Sequence, residues 1–217
     1  MTLSPFFTTI PNSYIDLYDS GGGTMELINH FINGLHEHLL PEELEELQKS
    51  HGASGEDLEQ LRRLYPDCPE SLLYLLENID GTFWRQYGEE KIAVCILGSD
   101  VEDGRYPYYL LSTQQMIDSS KEEVDTSYLS EYKEDDVDPR INQDGLYPGT
   151  YIHFSDCMNN GGTSSLFIDF NPTDQGVSGQ IVRFLHDPDE FKVIADSFDE
   201  YVRGLIDGGF VFLEEEE

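Results

Sequence analysis

Two histidines with carboxylates close by in the chain are the residues best placed to do chemistry. His153 precedes Asp156 by three positions, and His186 is followed by Asp187 and Asp189. If neighbouring strands brought these groups together, they would form a general acid–base pair or a metal site, as in a hydrolase. The favoured alternative is that His153 points off a sheet face and His186 ends a strand.

Other patterns that could carry chemistry are incomplete. The chain has no Gly-x-Ser-x-Gly, Gly-Lys-Ser/Thr, Gly-x-Gly-x-x-Gly or His-Glu-x-x-His sequence. Residues 100–104 and 135–138 suggest calcium loops but lack the twelve-residue ligand pattern, so solvated loops are favoured. The glycines at 21–23 have no nearby lysine, so a flexible joint is favoured over an anion site. We therefore expect neither a cofactor nor an enzymatic activity.

Charge is the strongest signal of the composition. The chain carries 44 acidic against 12 basic residues, a formal net charge of −32. Two interpretations stay open: solubility, including adaptation to a salty cytoplasm, or a surface built for a basic protein partner. Nucleic acid and anionic membranes are disfavoured as partners, because binding to either needs a basic patch and the sequence contains none.

The remaining composition predicts a folded protein of a reducing compartment. Hydrophobic residues make up 38% of the chain and aromatic residues 12%, which is enough for a core without a metal or disulfide staple. The three cysteines are an odd number without Cys-x-x-Cys spacing. The first residues lack a signal-peptide pattern, and no apolar run approaches the length of a membrane helix. We expect a cytoplasmic protein.

The first half of the chain has helical periodicity. Thr24 is predicted to cap a first helix that runs to Leu39, and Pro41 to begin a second. Ser54 is predicted to cap a third helix, and Pro69 to open a fourth that ends near residues 78–81.

The second half reads mainly as strands. Buried strands are predicted at 92–97 and 106–111, followed by an antiparallel meander at 151–154, 166–170 and 180–184. Residues 119–140 are predicted to form an acidic surface insertion, and a last helix through residues 198–206 to stop at Gly208–Gly209. The fold class is therefore α+β: N-terminal helices, a central antiparallel or mixed sheet of about five strands, and a C-terminal helix packed on one face.

Three stretches resemble the SUKH superfamily, which includes the Smi/Knr-type cell-wall assembly regulators of fungi. Residues 64–81 resemble its helix ending in Asn/Asp-Gly, here Asp80–Gly81. Residues 152–187 are similar to its central strand, Gly-rich turn, "l-x-l-D-x-x-P" strand and "G-Q-V/I" strand, and residues 197–202 to its closing helix. One departure is at 151–154, where many members carry a Trp; the only Trp here is Trp84.

The resemblance covers residues 54–207, which leaves 1–50 as an N-terminal helical extension, 119–140 as an insertion and 208–217 as an acidic tail. It implies a non-enzymatic fold. Bacterial members often serve as immunity proteins that bind and neutralise a cognate toxin, frequently a nuclease, and fungal members suggest a regulatory scaffold instead.

The leading hypothesis is an immunity protein that binds a basic toxin domain; the scaffold is the second hypothesis and the hydrolase the third. Acidic loops would steer the partner and nearby tyrosines would supply contact. Asp169 has a structural alternative, because it lies between apolar neighbours on a predicted strand. The candidate partner-binding residues are Asp100, Glu102, Asp103, Tyr108, Glu134, Asp135, Asp136, Asp138, Asp156 and Asp169.

Overall fold

The computed structural model describes residues 22–121, 137–142, 149–159, 162–186 and 189–214. The helices of these residues are α1 Gly22–His38, α2 Pro41–Leu47, α3 Gly55–Leu64, α4 Glu70–Asn78, α5 Thr113–Ser119 and α6 Phe198–Asp207. The strands are β1 Arg85–Tyr87, β2 Glu90–Ile92, β3 Leu97–Gly98, β4 Pro107–Leu110, β5 Tyr151–Asn159, β6 Gly162–Asp169, β7 Gln180–Leu185 and β8 Glu190–Ala195. Short 3-10 turns span Val101–Gly104 and Val211–Leu213.

Local capping sets most helix starts. Pro41 occupies the first turn of α2, and the Ser54 side chain accepts the backbone N–H of Asp57 at 3.1 Å, so both predictions are confirmed. The helix predicted from Pro69 is also present, with Pro69 as its N-cap. The Thr24 cap is wrong, because α1 already includes Gly22 and Gly23. These two glycines therefore belong to a helix, and the rest of the predicted joint lies outside the described residues.

The sheet confirms the α+β prediction with one strand more than expected. Its six strands run in the order β3-β4-β5-β6-β7-β8 with every neighbouring pair antiparallel, and β1 and β2 form a separate hairpin. The meander is confirmed as β5, β6 and β7, although the turn residues 160–161 lie outside the described part. The unpredicted strand is β8, where Phe191 and Val193 alternate with the exposed Lys192.

The single strand predicted at 92–97 is wrong. This apolar run ends the hairpin at Ile92 and pairs with the main sheet only from Ile96, whose N–H donates to the Tyr108 carbonyl at 3.0 Å, and Leu97, where β3 begins. Between them, the backbone N–H of Ala93 donates to the Glu46 carboxylate of α2 at 2.6 Å, a bond that a sheet neighbour would otherwise take. The apolar run thus predicted a mostly buried segment correctly, but the Glu46 side chain takes the Ala93 N–H that a continuous strand would have offered to a neighbour.

Both faces of the sheet are covered. The helices bury one face together with Leu166 and Ile168 of β6, as predicted. The opposite face carries a smaller apolar cluster that includes Phe167 and the end of the acidic insertion, with Val137 paired to Phe191 and only 3% exposed. The described end of that insertion is therefore packed against the sheet and does not lie free on the surface; residues 122–136 lie outside the described part.

Segments at both ends of the predicted domain share its core. Ile28, Phe31 and Leu35 of α1 belong to the main hydrophobic cluster. Phe210 and Phe212, placed by the sequence in an acidic tail, are 3% and 2% exposed. The stop of α6 is confirmed, with Gly208 as its C-cap. The hydrophobic core therefore includes residues before position 54 and after position 207.

Candidate partner-binding surface

A buried ion network anchors the first predicted acidic loop. The Asp100 side chain is only 6% exposed, and its carboxylate accepts the Nε–H of Arg183 at 2.8 Å and a bond from Lys192. Arg183 also pairs with Glu190 on β8. Burial alone would raise the pKa of Asp100, but the bonds from Arg183 and Lys192 outweigh it and hold the pKa below its usual value. Asp100 is thus committed to the fold.

The turn that follows this anchor displays two carboxylates. Glu102 and Asp103 are exposed and have φ angles of 52° and 56°, in the left-handed region. Each such residue costs roughly 1–2 kcal/mol relative to ordinary backbone, and Gly104 completes the turn with a φ of 93°. Two adjacent non-glycine residues in this conformation are unusual, and they lie at the surface where the sequence predicted partner contact.

Asp138 belongs to a second ion pair at the sheet edge. Its carboxylate accepts Nη2–H of Arg140 at 2.7 Å and Nε–H at 3.0 Å. Burial would raise the pKa of Asp138, but these bonds lower it overall. Arg140 also reaches the Val193 carbonyl at 3.2 Å, so the pair fastens residues 137–141 to β8. The neighbouring candidates Glu134, Asp135 and Asp136 lie outside the described residues.

Two further candidates are enclosed in the fold. Asp169 is 1% exposed and accepts the Asn171 backbone N–H at 2.8 Å and the Gln180 amide at 3.0 Å. Burial raises the pKa of Asp169. Tyr108 has no exposed surface, and its hydroxyl bonds Ser164 at 2.7 Å and Ser99 at 3.0 Å. The geometry gives both side chains structural roles, since a partner could reach neither without a rearrangement.

The two histidine–carboxylate pairs form separately. His153 stacks on Phe167, and its Nε2 lies 3.0 Å from the Ser155 carbonyl and 3.8 Å from Oδ2 of Asp156. Burial lowers the pKa of His153 to about 4 and raises the pKa of Asp156 to about 6. His186 contacts Asp189 at the end of β7, two strands away.

In the described part of the chain, neither pair is joined by a third potential metal ligand. No three His, Cys, Asp or Glu residues of the described ranges cluster closely enough to hold a metal ion. A groove between α1 and α6, lined by Glu26, His30 and Arg203 among others, has a volume of about 220 Å³. Small-molecule sites usually start near 300 Å³. Asp187 lies outside the described residues.

A family model described as "SMI1 / KNR4 family (SUKH-1)" matches residues 41–204, about three quarters of the chain. The chain belongs to the SMI1/KNR4 (SUKH-1) family. The resemblance inferred from the sequence is thereby confirmed. A comparison with curated protein sequences gave no match.

In this SUKH-1 protein the Asp80–Gly81 motif has a structural role. The Asp80 carboxylate accepts the Thr113 backbone N–H at the start of α5 at 2.8 Å and Nη2–H of Arg85 at 2.7 Å. Gly81 has a φ of 87°, and a Cβ there would lie 2.5 Å from the Ser112 backbone nitrogen. The motif thus locks the end of α4 against α5 and β4, and it fixes where the chain leaves toward the hairpin.

Sequence reasoning missed the residue that this motif presents. Trp84 is 47% exposed and has a φ of 52°. The sequence shows that Trp84 is the only Trp of the chain. It does not show that the side chain is exposed, because this exposure depends on contacts with residues far away in the chain. Across its described residues, the SUKH-1 protein has no helix that combines the length and apolar character needed to cross a bilayer.

Proposed function

We propose that the protein is a non-enzymatic binding module that recognises a basic protein and, most concretely, neutralises a cognate toxin domain. The observation that carries this proposal is the turn at Glu102 and Asp103. Its two carboxylates are exposed in a strained backbone that the buried Asp100–Arg183 pair holds in place. Strain of this kind persists only where the surroundings over-determine it, and it concentrates at binding and catalytic sites.

Charge gives such a module a physical advantage. With a net charge of −32, local groups of carboxylates attract a basic partner and raise the rate of encounter. A nuclease is the toxin class that fits best, because its substrate site is itself basic to bind phosphates. An acidic protein seated on that site would block it. Family membership in SUKH-1 is consistent with this role.

The proposal is tested by capture followed by neutralisation. The full chain, immobilised at low salt, should retain a basic protein from native lysate, and the purified partner should lose its toxic or nucleolytic activity when the chain is added. Failure to retain any basic protein above a blank column would contradict the binding role. Retention without any loss of toxic or nucleolytic activity would favour the regulatory scaffold.

A charge-matched pair of variants tests the role of the turn. Glu102→Gln with Asp103→Asn removes two exposed carboxylates, and Glu56→Gln with Asp174→Asn removes two exposed carboxylates on α3 and on the loop after β6. We expect the first pair to slow association at low salt several-fold and the second to leave it nearly unchanged. Equal effects would mean that only net charge matters.

A further inference from the structure

The loop at residues 80–85, here called the Trp84 loop, is fixed by several hydrogen bonds. The Thr82 and Phe83 backbone N–H groups both donate to the Leu110 carbonyl, at 2.7 and 3.0 Å. In the other direction, the Leu110 backbone N–H donates to the Thr82 hydroxyl at 3.1 Å. The Tyr87 hydroxyl donates to the Gly81 carbonyl at 2.8 Å. These bonds tie the loop to β4 and to the hairpin, so its conformation is set by the fold.

What this rigid loop presents is an exposed aromatic ring. Trp84 has a left-handed backbone conformation, and its backbone N–H donates to the Thr82 carbonyl at 3.0 Å. Left-handed backbone disfavours a bulky side chain, and a ring that is 47% exposed contributes little to the core. Burial in the core therefore does not by itself account for a tryptophan here. Exposed, pre-positioned tryptophan is the side chain most enriched where protein interfaces concentrate binding energy.

The surroundings of the ring specify the charge of its partner. The hairpin packs beside α2 through the Glu46–Ala93 bond and an ion pair between Lys49 and Glu90 at 3.8 Å. Four exposed carboxylates lie on these two elements and are here called the acidic rim: Glu42 and Glu45 on α2, and Glu89 and Glu90 in the hairpin. Over residues 41–49 and 85–92, six Glu residues stand against three cations, Lys49, Lys91 and Arg85, of which Arg85 is paired with Asp80. This net negative charge repels phosphates, so nucleic acids and anionic lipids are disfavoured as occupants.

The ring itself already accepts a cation. The Lys91 ammonium lies 4.9 Å from the centre of the Trp84 ring, within the range of a cation–π contact. Tryptophan is the best aromatic acceptor for such contacts, and arginine makes them most often. An arginine or lysine of a partner that took the place of Lys91 on the ring would make the same cation–π contact and would also be attracted by the acidic rim, so both features favour cationic side chains in a partner.

We propose that the Trp84 loop, the hairpin β1–β2 and the acidic rim form the docking surface for a basic protein, with Trp84 as its central contact. This inference rests on the proposed function and adds a second contact surface to the one proposed at the Glu102–Asp103 turn. It places the main contact energy at Trp84, a residue that the Glu102–Asp103 turn does not include.

The test uses the full chain in four forms: wild type, Trp84→Ala, Trp84→Gly and Val177→Ala. Glycine removes the ring and also tolerates the left-handed backbone, so a loss of binding by Trp84→Gly cannot come from backbone strain. Val177 is another exposed apolar residue, 51% exposed on the loop after β6, and serves as the matched control. Each form is immobilised and offered the proteins of native lysate that bind a cation exchanger.

The expected result is a basic protein retained by wild type and Val177→Ala, with affinity reduced on the order of tenfold or more in both Trp84 variants. Equal retention by the Trp84 variants would overturn the docking surface and leave the proposed function standing. Retention of no basic protein by wild type would overturn both.

A second readout locates the contact directly. Because the chain has one tryptophan, labelling with 5-fluorotryptophan gives one fluorine resonance, which reports on Trp84 alone. Adding the retained basic protein, unlabelled, should shift or broaden this resonance. An unchanged resonance at saturation would overturn the proposal even if affinity had fallen in the variants.

Discussion

Arg183 on β7 holds the carboxylate of Asp100 at 2.8 Å, although the two residues are 83 positions apart in the chain. The pair lies almost entirely out of solvent, with side chains 3% and 6% exposed. Removing one member leaves a buried charge without its main partner, which typically costs about 3–5 kcal/mol. Asp100 therefore anchors the start of the turn that carries Glu102 and Asp103.

We predict that Asp100→Asn and Arg183→Met each lower the free energy of unfolding by about 3 kcal/mol, measured by urea denaturation. The double variant should lose less than the two single losses added together, because the second change removes a charge already left unpaired. Lys192→Met is the control and should cost under about 1 kcal/mol, since Lys192 is 50% exposed. Additive losses would contradict a coupled pair.

The same pair has a defined pH dependence. The pKa of Asp100 is lowered in the folded protein, so its contribution is present above the unfolded value of about 3.9 and is lost as pH falls through the folded pKa. Asp100→Asn should therefore lose less stability than wild type on acidification over this range.

We predict opposite effects on stability and binding when glycine replaces the strained carboxylates. Glu102→Gly or Asp103→Gly relieves a left-handed non-glycine residue and should raise the free energy of unfolding by up to about 1 kcal/mol. The same change removes a carboxylate from the proposed binding turn and should slow association with the basic partner. Thermal unfolding and surface-binding kinetics measure the two effects, and a loss of stability would show that the side chain supports the fold.

The half-buried residues His153 and Asp156 should make folding stability depend on pH in opposite directions. Burial lowers the pKa of His153 to about 4, so its neutral form favours folding increasingly as pH rises from about 4 toward its unfolded value of about 6.5. Burial raises the pKa of Asp156 to about 6, so its contribution falls as pH rises from about 4 to about 6. The two trends largely offset each other in the wild-type protein.

Asp156→Asn should expose the histidine trend, so that stability rises more steeply between pH 4 and 6 than in wild type. Urea denaturation at several pH values measures this slope. Asp138→Asn serves as a comparison, because the pKa of Asp138 is lowered and its removal should make the slope shallower at the acidic end. A slope unchanged by Asp156→Asn would contradict the burial of that carboxylate.

The Asp80–Gly81 motif gives a matched pair of glycine substitutions. Gly81 and Gly88 both have positive φ, at 87° and 63°, but only Gly81 has backbone atoms within contact distance of an added Cβ. Gly88→Ala should cost about 1 kcal/mol, and Gly81→Ala clearly more, because the Ser112 backbone must also shift. Equal costs in chemical denaturation would mean that the close approach to Ser112 does not constrain the fold.

Local signals predicted much of the architecture. Ser54 defines a helix start through a bond within its own first turn, Pro41 does so through its fixed φ angle, and the apolar run at 166–168 predicts a buried strand. Family motifs added the order of elements. These features could be predicted because each depends on residues within a few positions of one another.

The candidate site could be predicted only in part, because long-range pairing decides which carboxylates reach solvent. Asp100 and Glu102 are equivalent in sequence terms, yet Arg183 draws the first into the fold and the second stays outside. Trp84 is exposed because Leu110 and its neighbours fix the loop before it. No local sequence pattern predicts that Arg183 pairs with Asp100 or that Leu110 binds the Trp84 loop.

We propose that Glu102, Asp103 and the acidic rim recognise a basic protein and do not form a reactive centre. The most direct test is the association rate of the chain with its captured basic partner across ionic strength, from roughly 10 mM to roughly 1 M, where the Debye length falls from about 30 Å to about 3 Å. The account predicts a steep fall in rate, with a smaller change in the dissociation rate. An association rate independent of salt would contradict it.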